Sequence, residues 1–169
     1  SGGGGGGAEN GQHVGAGGNG GGGAGVVGPT PQGTNGTVNT GGGAGGTRSG
    51  GPAVGGSGIV EIKSTTGLST DSTTNAPVSF DGTNYIATFK ASANLIVGTA
   101  ATFIQADYLV VAGGGGGGTG PAGGGAGAGG YRTSFPGGTK VYLGEGSHTV
   151  TVGAGGASQA PTTDGTGAR

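Results

Sequence analysis

His13 and His148 are the chain's two imidazoles, and they sit on unrelated segments. A metal site or a nucleophilic triad needs partners at suitable spacing, and the chain supplies neither Cys nor a carboxylate cluster. His148 is expected to face solvent on its strand, and Glu61, Lys63, Lys140 and Glu145 read as polar strand faces. Gly-x-Gly-x-x-Gly occurs at Gly15, Gly17 and Gly20. With 53 Gly in 169 residues the cube of that fraction puts the pattern in about 3% of windows by chance. A dinucleotide site also needs a strand before the glycines, a helix after them and an acidic residue for the ribose, and no helix can form here. No Gly-Lys dipeptide exists, which excludes a phosphate-binding P-loop. No catalytic, cofactor-binding or metal site is read, and the chain is expected not to be an enzyme. Asn35-Gly36-Thr37 is the single N-glycosylation sequon, because Asn75 and Asn84 lack the hydroxyl residue two positions on. It is either a glycosylated surface turn or a bare Thr-rich turn.

Composition explains why chemistry is so sparse. Leu, Ile, Val and Phe number 4, 5, 13 and 4, so the core that can be built is small. Each glycine also loses about 0.5–1 kcal/mol more than alanine on ordering. Dense backbone hydrogen bonding between extended strands is the compensation available, since chains without Cβ atoms can approach from several sides. A net charge of −1 with 8% charged residues argues against nucleic acid, which selects a basic stripe. No apolar run reaches the roughly 18 residues of a membrane span. The absence of Cys, Met and Trp fits an exposed extracellular setting in which oxidisable side chains are liabilities. The chain begins at Ser1 rather than Met, which suits a mature or excised product.

The elements follow from this. Residues 1–58 are nearly all Gly with Ala, Asn, Thr and Ser; no helix can be nucleated there, and the options are glycine-rich extended or polyproline-II-like strands, or disorder. In residues 58–64 Val60 and Ile62 face one way and Glu61 and Lys63 the other, a half-buried strand. Residues 65–75 are a Thr/Ser-rich linker. A conventional β pattern then runs through residues 78–80, an Asp81-Gly82 turn, and 85–89. Two further strands are expected at 94–97 and 102–104. Phe80, Tyr85, Phe89, Phe103 and Tyr108 form the one expected hydrophobic cluster. The strand Asp107-Tyr-Leu-Val-Val-Ala112 runs straight into six glycines. Strands at 141–143 and 147–152 flank a Gly144-Glu145-Gly146 turn, and residues 153–169 return to the composition of the amino terminus.

Tyr85-Ile-Ala-Thr-Phe89, Asp107-Tyr-Leu-Val-Val-Ala-Gly-Gly-Gly-Gly-Gly-Gly118, Gly129-Gly-Tyr131-Arg132, His148-Thr-Val-Thr-Val-Gly-Ala-Gly-Gly156 and Gly55-Gly-Ser-Gly-Ile-Val60 resemble the glycine-rich domains of phage tail fibres, adhesins and related surface proteins. In that family the Tyr-Leu-Val-Val-Ala-Gly word opens the domain and the Gly-Ser-Gly-Ile-Val word closes it. Here the order is permuted: residues 76–169 followed by 1–64 would make one unit. The resemblance therefore implies a fibre in which each unit is completed across a subunit boundary, because half-sheets with open edges pair by strand addition and a contact that does not close propagates. Separate chains, one period of a tandem array, and circular permutation within a monomer all satisfy this order.

The expected architecture is all-β and helix-free, a short antiparallel sheet or sandwich joined to glycine-rich extended strands. Its divisions are 1–64, the closing half of one unit; 65–75, linker; 76–112, a small β region; and 113–169, the opening half of the next unit. The expected assembly edges are Tyr108, Leu109, Val110, Val111, Ile59, Val60, Ile62, Val150 and Val152. The expected function is a structural subunit or repeat of an extracellular filament whose partner is itself, with glycans as a further partner and neither nucleic acid nor a membrane span. The alternative is an adhesin recognising carbohydrate through loops near residues 30–40 or 162–169, although these lack aromatic residues. An ice-binding bundle of polyglycine helices fits less well, because period-three glycine is not sustained over long runs.

Overall fold

The chain is all-β in the computed structural model, which describes residues 2–5, 13–26, 32–47, 51, 53–98, 103–120 and 123–158; no helix occurs among them. Two units emerge, each assembled from separated stretches of chain. One comprises Ile59–Val110 and Tyr131–Gly153; the other comprises Ser1–Gly58, Val111–Gly130 and Ala154–Arg169. This division cuts across the expected boundaries at 64, 75 and 112, because glycine-rich segments distant in sequence find their hydrogen-bond partners in one another.

The first unit carries the strands β1 (Ile59–Ser64), β2 (Ser69–Thr70), β3 (Val78–Phe80), β4 (Tyr85–Phe89), β5 (Ala93–Val97), β6 (Phe103–Val111), β7 (Tyr131–Thr133), β8 (Val141–Gly144) and β9 (Gly146–Val150). One sheet runs β3-β4-β1-β6-β7, with β8 also pairing β6, and a second runs β2-β5-β9. The β3–β4 hairpin turns where Asp81 Oδ1 accepts the backbone N–H groups of Thr83 (2.9 Å) and Asn84 (2.7 Å), and Gly82 adopts φ 95°. The β1–β4 register sets Val60 opposite Phe89, Ile62 opposite Ala87 and Ser64 opposite Tyr85, so all six share one face. That face joins Leu95, Val97, Ile104 and Ala106 in a single buried cluster, with Tyr85, Tyr108, Val141, Leu143, Val150 and Val152 packed around it.

Several expectations are corrected. The strands expected at 102–104 and 107–112 are one continuous β6, because Ala106, a weak strand former, lies buried opposite Val141 and carries the alternation of residues 103–106 on into the second stretch. Phe80 and Phe103 lie outside the cluster, each 57% exposed: β3 is an edge strand, and Phe103 has the outward parity of β6. Residues 65–75 are not a free linker. Leu68 is buried, β2 pairs β5, and the Asp71 carboxylate accepts both the backbone N–H and the Nδ2 of Asn94 at 2.8 Å. His148, expected in solvent, is half-buried, with Nε2 2.7 Å from the Gly144 carbonyl oxygen.

The second unit is held together by backbone. Residues 42–46 lie at its centre and hydrogen-bond to six other segments: Gly43 and Gly46 donate to Gly2 and Gly5, Gly23 and Val26 donate to Gly43 and Gly46, Gly45 donates to Thr34, Gly56 donates to Gly42, Ala44 donates to Gly115, and Ala126 donates to Ala44. Partners recur three residues apart, running parallel to 2–5, 22–26 and 115–118 and antiparallel to 124–130. Three residues per turn is the repeat of a polyglycine-II helix, in which successive residues point in three directions around the axis.

Those directions explain why so much glycine is needed here and why it is not periodic. A Cβ on Gly45 would lie 1.9 Å from the Ala24 carbonyl oxygen, and one on Gly46 would lie 2.3 Å from that of Gly123. In the surrounded central segment two directions of the three meet a neighbour's backbone, at Gly42, Gly43, Gly45 and Gly46, and the third holds the side chains of Ala44 and Thr47. At the periphery only one position in three does: in residues 32–37 Gly33 and Gly36 are buried while Gln32, Thr34, Asn35 and Thr37 are exposed.

Candidate functional site

The residues expected at assembly edges are placed by the order of the strands. Of the expected edge residues, Ile59, Val60 and Ile62 lie on β1, which is flanked by β4 and β6, and Val60 and Ile62 are buried in the core. Tyr108, Leu109, Val110 and Val111 lie on β6, which has β1 on one side and β7 and β8 on the other. Neither strand has a row of backbone groups left to offer. Val150 lies on β9, an edge of the second sheet, and Val152 follows it, packed against the core.

The family-like opening and closing words meet within one chain. Gly114 N–H donates to Gly56 (3.0 Å) and Gly117 N–H to Ala53 (2.9 Å), while Gly55 N–H donates to Gly156 (3.1 Å) and Gly156 N–H to Gly114 (2.7 Å). A Cβ on Gly58 would lie 2.2 Å from the Val111 carbonyl oxygen. Segments of one chain meet at an effective concentration in the millimolar range or above, which favours closure over exchange with a second chain.

The open edges of the larger sheet are β3 at one end and, at the other, β7 and β8, which share β6 as their neighbour. β3 is exposed at all three residues, including Val78 and Phe80, and the Phe80 ring lies 4.8 Å from that of Tyr85. On β7, Tyr131 and Arg132 are exposed. β3 was anticipated as a strand but not as an edge: Val78 and Phe80 lie opposite Ala87 and Tyr85 on the core-side face, and only their peripheral place leaves them exposed. β7 was not anticipated, since three residues carry no periodicity.

Behind β7 lies a polar cluster that sequence reading missed. Ser134 is buried, donates from Oγ to Asp107 Oδ1 (2.9 Å) and accepts the Tyr108 N–H (2.9 Å). Lys140 Nζ is 3.3 Å from Asp107 Oδ2, and Thr133 Oγ1 donates to the Tyr108 carbonyl (2.8 Å). A nucleophilic serine needs a base on its proton and room at its oxygen, and here the lysine serves the carboxylate rather than the serine. The cluster clamps the 133–140 loop onto β6. The 27 residues separating Ser134 from Asp107 leave no local signal.

A cavity of about 390 Å³ opens between Ile62, Leu95, Tyr108, Val110, Leu143 and Val150, with Arg132 and His148 also in its wall. Asn35 is exposed, and its Oδ1 accepts the Val54 N–H (3.0 Å), which holds the sequon along the bundle surface. His13 is exposed. Of the loops expected to read carbohydrate, residues 30, 31 and 162–169 lie outside the described residues; Thr40 Oγ1 closes a turn by donating to the Thr37 carbonyl (2.7 Å).

A family model described as a glycine-rich domain matches residues 90–169, somewhat less than half of the chain. The match contains the Tyr-Leu-Val-Val-Ala-Gly word and the Gly-Tyr-Arg and His-Thr-Val words that follow it, and leaves the Gly-Ser-Gly-Ile-Val word outside. No curated protein and no solved structure matches the chain.

Proposed function

We propose that the chain is a structural, non-enzymatic component of an extracellular fibre, acting as a subunit or as one repeat, with other copies of itself as its partner. The observation that carries this reading is the six-neighbour hydrogen-bonding around residues 42–46. A unit ordered through its backbone, with few and small side chains at its centre, suits stiffness and extension rather than the convergence of reactive groups. Head-to-tail growth follows from any heterologous contact that does not close. The glycine edges pair within one chain here, so that contact is either the same pairing exchanged between chains or a different surface. Imaging of the native particle, with the intact mass under denaturing conditions, tests the reading. A uniform fibre is expected; particles that stay at the 15.2 kDa of the chain at high concentration overturn it.

One observation favours a second reading, an adhesin for surface carbohydrate. Phe103 and Tyr142 stand exposed on the outer face of β6 and β8 with ring centroids 5.9 Å apart, and Gln105 Nε2 donates to the Tyr142 hydroxyl. An exposed aromatic pair beside an amide suits stacking against a sugar ring. Binding to immobilised glycans that disappears in Tyr142→Ala supports it, together with a discrete globular end in images.

A further inference from the structure

Which backbone groups of β3 point away from its sheet can be read from its bonds. Asp81 N–H donates to the Asn84 carbonyl (3.1 Å) and Thr88 N–H donates to the Pro77 carbonyl (3.0 Å), so residues 77 and 81, and by alternation 79, face β4. The N–H and C=O groups of Val78 and Phe80 therefore face outward. On β7, Ala112 N–H donates to Gly130 (2.8 Å) and Ser134 N–H to Tyr108 (3.0 Å), so residues 130, 132 and 134 face β6. The N–H and C=O groups of Tyr131 and Thr133 face outward. Each end of one sheet thus presents a three-residue strand with two outward residues, matched in length and in the spacing of donors and acceptors.

We infer that the open edge of β3 in one copy pairs antiparallel with the open edge of β7 in the next, joining copies head to tail through the β-rich unit. This rests on the fibre reading and names its contact. With Phe80 opposite Tyr131 and Val78 opposite Thr133, the outward groups form two reciprocal hydrogen-bonded pairs. Phe80 and Tyr131, 57% and 64% exposed, become a cross-strand aromatic pair on one face. Ser79 then lies opposite Arg132, which sets Asp81 on the same face as Arg132 at the diagonal position, within reach of a guanidinium. The acidic edge thereby meets the basic one, and β3 carries no lysine that would discourage pairing. The two edges belong to opposite ends of one sheet, so the contact is heterologous and each added copy leaves one edge of each kind free for the next.

The test uses the full chain and two edge variants. One carries Val78→Lys and Phe80→Lys; the other carries Tyr131→Glu and Arg132→Glu. Sedimentation velocity of the unaltered chain is expected to show mass growing with concentration, while each variant alone stays at monomer mass. An equal mixture of the two variants is expected to give dimers and nothing larger, because one keeps an intact β7 edge and the other an intact β3 edge. Dimers in the mixture also show that both variants are folded. Fibres formed equally well by either variant overturn the inference and leave the fibre reading standing. A wild-type chain that stays monomeric at every concentration overturns both.

Discussion

A Cβ on Gly45 would sit 1.9 Å from the Ala24 carbonyl oxygen, whereas one on Gly127 meets nothing within 4 Å. The same substitution should therefore act in opposite directions at the two sites. Gly45→Ala is expected to lower stability by at least the 1–3 kcal/mol typical of overpacking, since backbone must move. Gly127→Ala is expected to raise it by about 0.4–1 kcal/mol, through the smaller entropy of the unfolded chain. Denaturant midpoints of the two variants against the parent chain decide this. At Asp81 the controlling quantity is charge: the backbone N–H groups of Asn84 and Thr83 hold its carboxyl below the ordinary value of 3.8. A depressed folded-state pKa contributes stability that is present above 3.8 and lost as pH falls through the lowered value. Amide protection at Thr83 and Asn84 should fall on acidification through that range, and Asp81→Asn should abolish the pH dependence; protection independent of pH in the parent chain would sink the assignment. Little of this was legible residue by residue, because identical glycines differ only in what lies across from them.

At the scale of elements, alternation was legible wherever a strand had one wet face. Val60 and Ile62 against Glu61 and Lys63, and Tyr85-Ile-Ala-Thr-Phe89, folded as read because period two leaves one arrangement that buries the apolar set. Phe89 is fully buried between two strands, and Phe89→Ala is expected to cost about 3–5 kcal/mol in chemical denaturation. The strand edges were illegible for the converse reason. Whether a strand is central or peripheral depends on which strands come beside it, so β1 and β6 looked open in sequence and are enclosed in the sheet. The clamp on β6 belongs at this scale as well. Ser134→Ala leaves Asp107 and the Tyr108 N–H each short of a partner, and is expected to cost about 1–3 kcal/mol, read as a shifted thermal midpoint.

For the whole molecule, the glycine-rich unit should be the slowest to exchange where it is most surrounded. Gly43, Ala44, Gly45, Gly46 and Thr47 all donate their N–H groups and all are buried. Hydrogen exchange followed by mass spectrometry is expected to place its highest protection on a peptide spanning 42–47, above that of the peripheral 124–130; the reverse order would contradict a central position for this segment. Composition by itself determined that the described residues are helix-free, that the core is small and that glycine backbone must supply the missing cohesion, because propensity and side-chain volume are properties of residues. Only the tertiary structure decided that the cohesion has period three. The central segment needs glycine in two of its three directions while peripheral segments need it in one, so the repeat lies in the hydrogen bonds and is diluted in the sequence. Only the tertiary structure, too, decided that the glycine edges close within one chain and leave β3 and β7 outward, because pairing between residues dozens of positions apart leaves no trace in local spacing.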